Sequence, residues 1–175
     1  MMIIIFIFVI LVVGWLLKTT NGFQRKEIRV QESLSGIEVA LAKRYDLLTK
    51  MIDTAKGYME HERELFTKTI ALRRGMSVGE LTEANQEIDT LSGRFFAVAE
   101  GYPELRSSEV FVELQRGIRD AEEHLQAARR LYNASVADYN TAISVYPAKL
   151  LAGDRKPKEF FAAEEGTRKD VNMTF

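Results

Sequence analysis

The side chains able to do chemistry are few. His61 and His124 are the only histidines in 175 residues. Neither belongs to an HExxH pattern, since the residue four after His61 is Leu65. The ExxH pairing of di-iron bundles fails as well, because Tyr58 and Ala121 occupy the positions an acid must hold. Cysteine is absent, which excludes disulfides, thiolate nucleophiles and cysteine metal sites. No glycine-rich phosphate loop is present, and aspartate, glutamate and serine are scattered as in any amphipathic helix rather than arranged as an acid-base or nucleophilic centre. Lysine and arginine number 24 against 25 acidic residues, with the signs intermixed, so there is no basic stripe for nucleic acid. The residues therefore predict no enzyme, no cofactor or metal, no small-molecule substrate and no nucleic-acid partner.

What remains is a set of polar and aromatic residues at helical spacing: Arg44, Tyr45 and Asp46; Tyr102 and Pro103; Tyr132, Asn133, Tyr139 and Asn140. Asn133 and Asn140 are seven apart and share nearly one helix face, which predicts a polar ladder. Two readings stay open. Asp46 and the asparagines either hydrogen-bond within a bundle and fix its register, because burying an unpaired polar group is costly, or they meet another subunit or partner. Tyr132, Tyr139 and Tyr146 recur every seven residues, a packing stripe with hydroxyls at its edge rather than a ligand platform.

The elements that position these residues begin with an apolar run. Met1 to Leu17 reads MMIIIFIFVILVVGWLL, and Lys18 closes it. A hydrocarbon core of about 30 Å asks for about 20 residues, and Thr19 and Thr20 extend the helix into the interface, with Trp15 at headgroup level. The run lacks a basic start and a small-residue cleavage site, so it reads as a retained anchor rather than a removed signal. Lys18, Arg25, Lys26, Arg29, Lys43 and Arg44 follow it, which predicts the amino terminus outside and the bulk of the chain in the cytoplasm. Asn21 and Gly22 are either a junction or a tolerated pair inside one helix.

From Phe23 to Arg74 the spacing predicts one rod. Leu34, Ile37, Leu41, Tyr45, Leu48, Ile52, Ala55 and Met59 form its stripe, and its length is roughly 75 Å. Arg73, Arg74 and Gly75 read as its stop. Ser77 and Glu80 match a capping box, so a second helix starts at Val78 and runs to Gly101. Ser107 or Ser108 caps a third, which keeps its apolar stripe from Phe111 to Tyr146 until Pro147. Pro157 opens a short helix bearing Phe160, Phe161 and Ala162. The two phenylalanines must bury against the bundle, a neighbouring subunit or the membrane interface. Residues 165–175 read as a tail.

Three strings carry a family resemblance. Lys43 to Leu48 with Lys56, Gly57, Tyr58, His61 and Glu62 resemble the first signature of the LemA family of bacterial membrane proteins. Ala99, Glu100 and Tyr102 to Arg106, with Phe111, Leu114, Gln115 and Glu122, resemble the second. Ala128 to Arg130, Tyr132, Asn133, Val136, Tyr139 and Asn140, with Tyr146 and Pro147, resemble the third. Thr49 and Lys50 stand where the family usually has proline and asparagine, and Ser33 to Ser35 where it often has tryptophan. The missing proline favours a straighter helix here. The resemblance implies one spanning helix, a long-helix bundle and no established enzymatic activity. Relatives act in magnetosome membrane formation or are placed near membrane proteases and stress systems, associations that transfer no mechanism.

The resulting expectation is an all-α chain: a transmembrane helix followed by an elongated antiparallel bundle of three long helices and a short C-terminal helix. Residues 1–20 form the anchor, 21–163 the bundle and 164–175 a flexible tail. Its partners are the lipid bilayer through Met1 to Leu17, other copies in a homo-oligomer, and a membrane protein. Its place is the bacterial inner membrane and its task is scaffolding by self-assembly; the alternative is an adaptor or regulator of a membrane protease, sensor or envelope-stress system.

Overall fold

The computed structural model describes residues 1–58, 70, 72–73 and 75–161. The long, proline-free apolar start and the stripe that follows it form one helix, α1, Met2–Ala55, about 80 Å long. Asn21 and Gly22 lie inside it without a break. Met2 to Val13 are all exposed, and the window of this helix long and apolar enough to cross a membrane has none of its residues buried. From Phe23 onward one face is buried: Val30, Ile37, Leu41, Leu48, Met51 and Ala55 recur at helical spacing.

The rod ends earlier than its periodicity implies. At Ala55 the hydrogen bonding tightens, the Lys56 N–H donating to Asp53 O (3.3 Å) and the Tyr58 N–H to Ala55 O (2.9 Å), with Gly57 between them. Residues 59–69, and with them Met59, His61 and Glu62, lie outside the described residues, as does Arg74. The chain has by then doubled back, because the Ile70 N–H donates to Tyr45 Oη (3.1 Å) and the Gly75 N–H to Glu38 Oε1 (3.0 Å). Ile70 and Met76 are buried on the bundle. Gly75, at φ 76°, makes the left-handed turn into the next helix instead of closing the rod.

Helix α2, Val78–Ala99, opens with a complete capping box: Ser77 Oγ accepts from the Glu80 N–H, and Glu80 Oε2 accepts from the Ser77 N–H (2.7 Å). Pro103 starts a five-residue helix, α3, Pro103–Ser107, in what reads from sequence as a plain connection. Ser108 then caps α4, Glu109–Ser144, its Oγ accepting from the Phe111 N–H (3.2 Å). Ion pairs fix the directions. Lys26 meets Asp138 and Arg44 meets Glu122, so α4 runs antiparallel to α1. Leu34 and Val78 line one crevice while Arg44 reaches Asp89, so α2 runs parallel to α1, not antiparallel; the chain has already come back along α1 between Ile70, held at Tyr45, and Gly75, held at Glu38. Gly117 admits the close α1–α4 approach: a Cβ there would meet Leu47 at 3.3 Å.

After α4 the chain turns through a cis Tyr146–Pro147 bond and a 3-10 turn, Ala148–Leu151. The short helix expected at Pro157 is not formed. Residues 156–161 are non-helical and lie along the bundle as a strap. Pro157 biases Lys156 toward extended backbone, and the backbone groups of Lys158 and Phe161 are taken by side chains of α4 instead of by helix hydrogen bonds. Ala162 and the expected tail lie outside the described residues.

Candidate functional site

Two polar constellations organise the bundle. At the level where α1, α2 and α4 meet, Arg44 is buried, with 9% of its side chain exposed. Its Nη1 donates to Asn85 Oδ1 (3.1 Å), Nη2 pairs with Asp89 Oδ1 (2.6 Å), and Nε lies 3.0 Å from Glu122 Oε2. Asn85 Nδ2 donates to Asp89 Oδ2 (2.9 Å), and Gln126 Nε2 to Glu122 Oε1 (2.8 Å). One planar guanidinium thus hydrogen-bonds and ion-pairs on α2 and ion-pairs with a carboxylate on α4, which fixes register in a way a lysine point charge cannot. Both carboxylates stay about one-third exposed, which limits their desolvation cost.

The second constellation lies on the membrane-proximal half. Asn140 Nδ2 donates to Lys158 O (2.9 Å) while the Lys158 N–H donates to Asn140 Oδ1 (2.8 Å). Asn133 repeats the pair on Phe161, at 3.1 and 2.9 Å. Each side-chain amide acts as a rung of a β-ladder. The spacing explains the fit: seven helical residues rise about 10.5 Å, and three extended residues span about 10 Å. Between the rungs Tyr132 Oη donates to Glu159 O (2.8 Å). Burial, and then the Glu159 carboxylate, push the Tyr132 phenol up. Lys158 Nζ pairs with Glu27 Oε1 (2.8 Å) and stands 5.7 Å from the Tyr139 ring centroid. That hydrogen bond to Glu27 raises the Lys158 ammonium above its usual range, against partial desolvation. Phe161 is buried under the Arg129 guanidinium, 5.0 Å from its ring, whereas Phe160 is 53% exposed.

Of the residues singled out in the sequence, the structure gathers Tyr132, Asn133, Tyr139, Asn140 and Phe161 into this strap site. Arg44 stands apart as the three-helix clasp, beside Tyr45, whose hydroxyl holds the returning chain. Asp46 is exposed, and Tyr102 and Pro103 form the N-terminus of α3. Sequence reasoning missed Asn85 and Asp89 as partners of Arg44, and the Glu27 to Lys158 clamp; Glu122 was met only as part of the second family string, with no role. Asn85 had a signal, a polar residue on the apolar face between Leu81 and Ile88; Asp89 had none.

The strap and α2 follow one another along the same flank of the α1–α4 seam. Among the described residues, none covers the other flank. There a groove of about 500 Å³ is lined by Ser33, Gly36, Ala128, Leu131, Ala134 and Ser135, with Arg29, Glu32 and Asp138 at its rim. Among the described residues no group of three or more His, Cys, Asp or Glu side chains is placed to hold a metal.

The profile of the LemA family matches residues 33–175. "Protein LemA" of Metamycoplasma hominis is 27% identical over 161 residues, covering 88% of this chain and 74% of the relative. "Magnetosome protein MamQ" of Magnetospirillum gryphiswaldense is 23% identical over 167 residues, covering 78% and 61%. "Magnetosome protein MamQ 2" of Paramagnetospirillum magneticum is 22% identical over 182 residues, covering 87% and 67%. The chain thus spans less than two thirds of the first of these magnetosome proteins. With a family match over most of its length, an apolar N-terminal helix and an all-α bundle clasped by buried polar residues, the chain belongs to the LemA family, as a membrane-associated member.

Proposed function

We propose that this chain is a membrane-anchored helical scaffold whose copies assemble side by side along the membrane through the open flank of the α1–α4 seam. The groove at Gly36 and Leu131 is the observation that carries the reading. A two-helix seam that the described residues cover on one flank only leaves Leu131 61% exposed beside small residues that admit close helix approach. Anchoring in one bilayer aligns such flanks and raises their effective concentration. The magnetosome proteins among its relatives lend this reading support. The anchor crosses the bacterial inner membrane once, with the amino terminus outside; Lys18, Arg25, Lys26 and Arg29 on the bundle side support that orientation. Anchor, bundle and tail divide at residues 20 and 163.

The chain has no cysteine, so Leu131→Cys introduces a single thiol. In membranes this variant cross-links to itself with a short bis-maleimide, and Leu131→Glu without the thiol shifts the detergent-solubilised protein to a smaller species. A monomer at every concentration, with no cross-link in membranes, refutes the scaffold.

A second reading, an adaptor for a membrane protease, sensor or envelope-stress protein, is favoured by one observation: Phe160 is held half-exposed on a strap whose next residue is buried. Pull-downs that retain every partner after Phe160→Ser, and after removal of residues 150–175, exclude it.

A further inference from the structure

We propose that the turn at residues 145–151 is a second membrane contact, an interfacial foot that rests in the headgroup region of the bilayer holding the anchor. The proposal depends on the anchor reading above. Register places the turn. Lys26 of α1 pairs with Asp138 of α4; Val145 lies seven residues beyond Asp138, and Thr19 seven before Lys26. The antiparallel helices therefore bring the turn level with Thr19, just past the end of the apolar run at Leu17. Two residues of helix rise about 3 Å. The polar layer beyond the hydrocarbon is about 5–7 Å deep on each side, so the turn falls within it.

Its side chains suit that layer. Val145 is 53%, Tyr146 67% and Leu150 74% exposed, an apolar cluster on a turn with no residue buried. Tyr146 carries a polar tip on an apolar body, the character that enriches tyrosine at bilayer interfaces, and the Lys149 ammonium stands 5.5 Å from its ring, positioned for lipid phosphate. The turn is also held in place. Ala152 is buried, and the Arg155 guanidinium lies 5.2 Å from the Phe23 ring, fastening the outgoing chain to α1. A single spanning helix is free to rotate about its axis. A foot on one side of α1 removes that freedom and sets which way the open flank faces in the plane of the membrane.

The experiment uses the full chain in vesicles of phosphatidylcholine and phosphatidylglycerol, with single cysteines carrying a small fluorophore at Leu150, at Leu131 and at Val9. Spin-labelled lipids quench at either the headgroup or the middle of the acyl chain. Expected is about twofold or greater quenching at Leu150 by the headgroup label, quenching at Val9 by the mid-chain label, and none at Leu131, which lies about 20 Å farther up α4. Quenching at Val9 with Leu150 as silent as Leu131 overturns the foot and leaves the anchor. Equal quenching at Leu150 and Leu131 places the whole rod on the surface and overturns it too. Silence at Val9 overturns the anchor and the foot together. Tyr146→Cys, labelled likewise, repeats the test at a second exposed position.

Discussion

Replacing Asn140 by alanine removes both hydrogen bonds that tie Lys158 to α4, and replacing Asn133 does the same at Phe161. A net hydrogen bond contributes about 1 kcal/mol, and the rungs are only partly buried, so each is worth about 1–2 kcal/mol. The factor is about tenfold in the strap-opening equilibrium per 1.4 kcal/mol. The helix itself does not suffer, since alanine is a better helix former than asparagine by up to about 0.7 kcal/mol. The expected signature is therefore local: far-UV helicity and the global unfolding midpoint change little. Amide exchange at Lys158 and Phe161, whose N–H groups donate to the asparagines, speeds about tenfold in each single variant and about a hundredfold in the double.

Asn140→Asp sharpens the test. The carboxylate still accepts from the Lys158 N–H but cannot donate to the Lys158 carbonyl, and its second oxygen is set against that carbonyl. Protonation restores a donor. Closure thus favours the protonated acid and raises its pKa, so strap closure gains as pH falls through the carboxyl range, measured against Asn140→Ala at each pH. Unchanged exchange at both amides in the double alanine variant would refute the ladder as the force that holds the strap.

Arg44→Met strands the Asp89 and Glu122 carboxylates opposite an apolar side chain; because both are about one-third exposed the cost is about 2–3 kcal/mol of global stability, read by chemical denaturation, and adding Asp89→Asn and Glu122→Gln recovers most of it. Ser77→Ala costs about 1 kcal/mol of stability from the α2 cap, seen as a lower unfolding midpoint. The Ser77 backbone N–H, then its hydroxyl, and Arg73 hold Glu80 below the ordinary carboxylate range; a lowered folded pKa gives a contribution present at neutral pH and lost as pH falls through that value, so Glu80→Gln flattens the acid limb of the stability profile. Lys158 is raised by its hydrogen bond to Glu27, so its contribution is complete below its ordinary value of 10.5 and lost as pH rises through the higher folded value; exchange at the strap accelerates there, and Glu27→Gln weakens that alkaline step.

The helices were legible wherever local signals agree. The Ser77 and Glu80 box, the Ser108 cap and the stripes of α2 and α4 set those elements within a residue or two, because capping and burial are short-range effects that composition and spacing encode. The ends that failed are decided at long range. Nothing local near Ala55 marks the end of α1 beyond Gly57, a cost of about 1 kcal/mol in a helix that tertiary packing overrides in either direction. The reversal is secured instead by Tyr45 and Glu38, which catch the backbone of Ile70 and Gly75 from 25 and 37 residues away. The strap failed for the same reason, since Pro157 reads as a helix start until the asparagine rungs on α4 are in view.

Asn133 and Asn140 also show why the polar residues of such a sequence were easier to find than to interpret. Spacing on one face identifies a ladder but leaves its second rail unnamed. That rail turns out to be the chain's own residues 158–161, read through backbone groups rather than side chains, so no sequence motif had to announce it. The strap in turn covers the membrane-proximal stretch of the same flank of the α1–α4 seam that α2 covers farther along, and among the described residues the surface at Gly36 and Leu131 is left for a neighbour. Two amides on α4 thereby bias assembly: a variant that frees the strap bares a second flank of the same seam. If the open groove drives self-association, the double alanine variant alters the pattern of Leu131→Cys cross-links as well as strap exchange; if exchange quickens while the cross-links stay as they were, strap and assembly are independent.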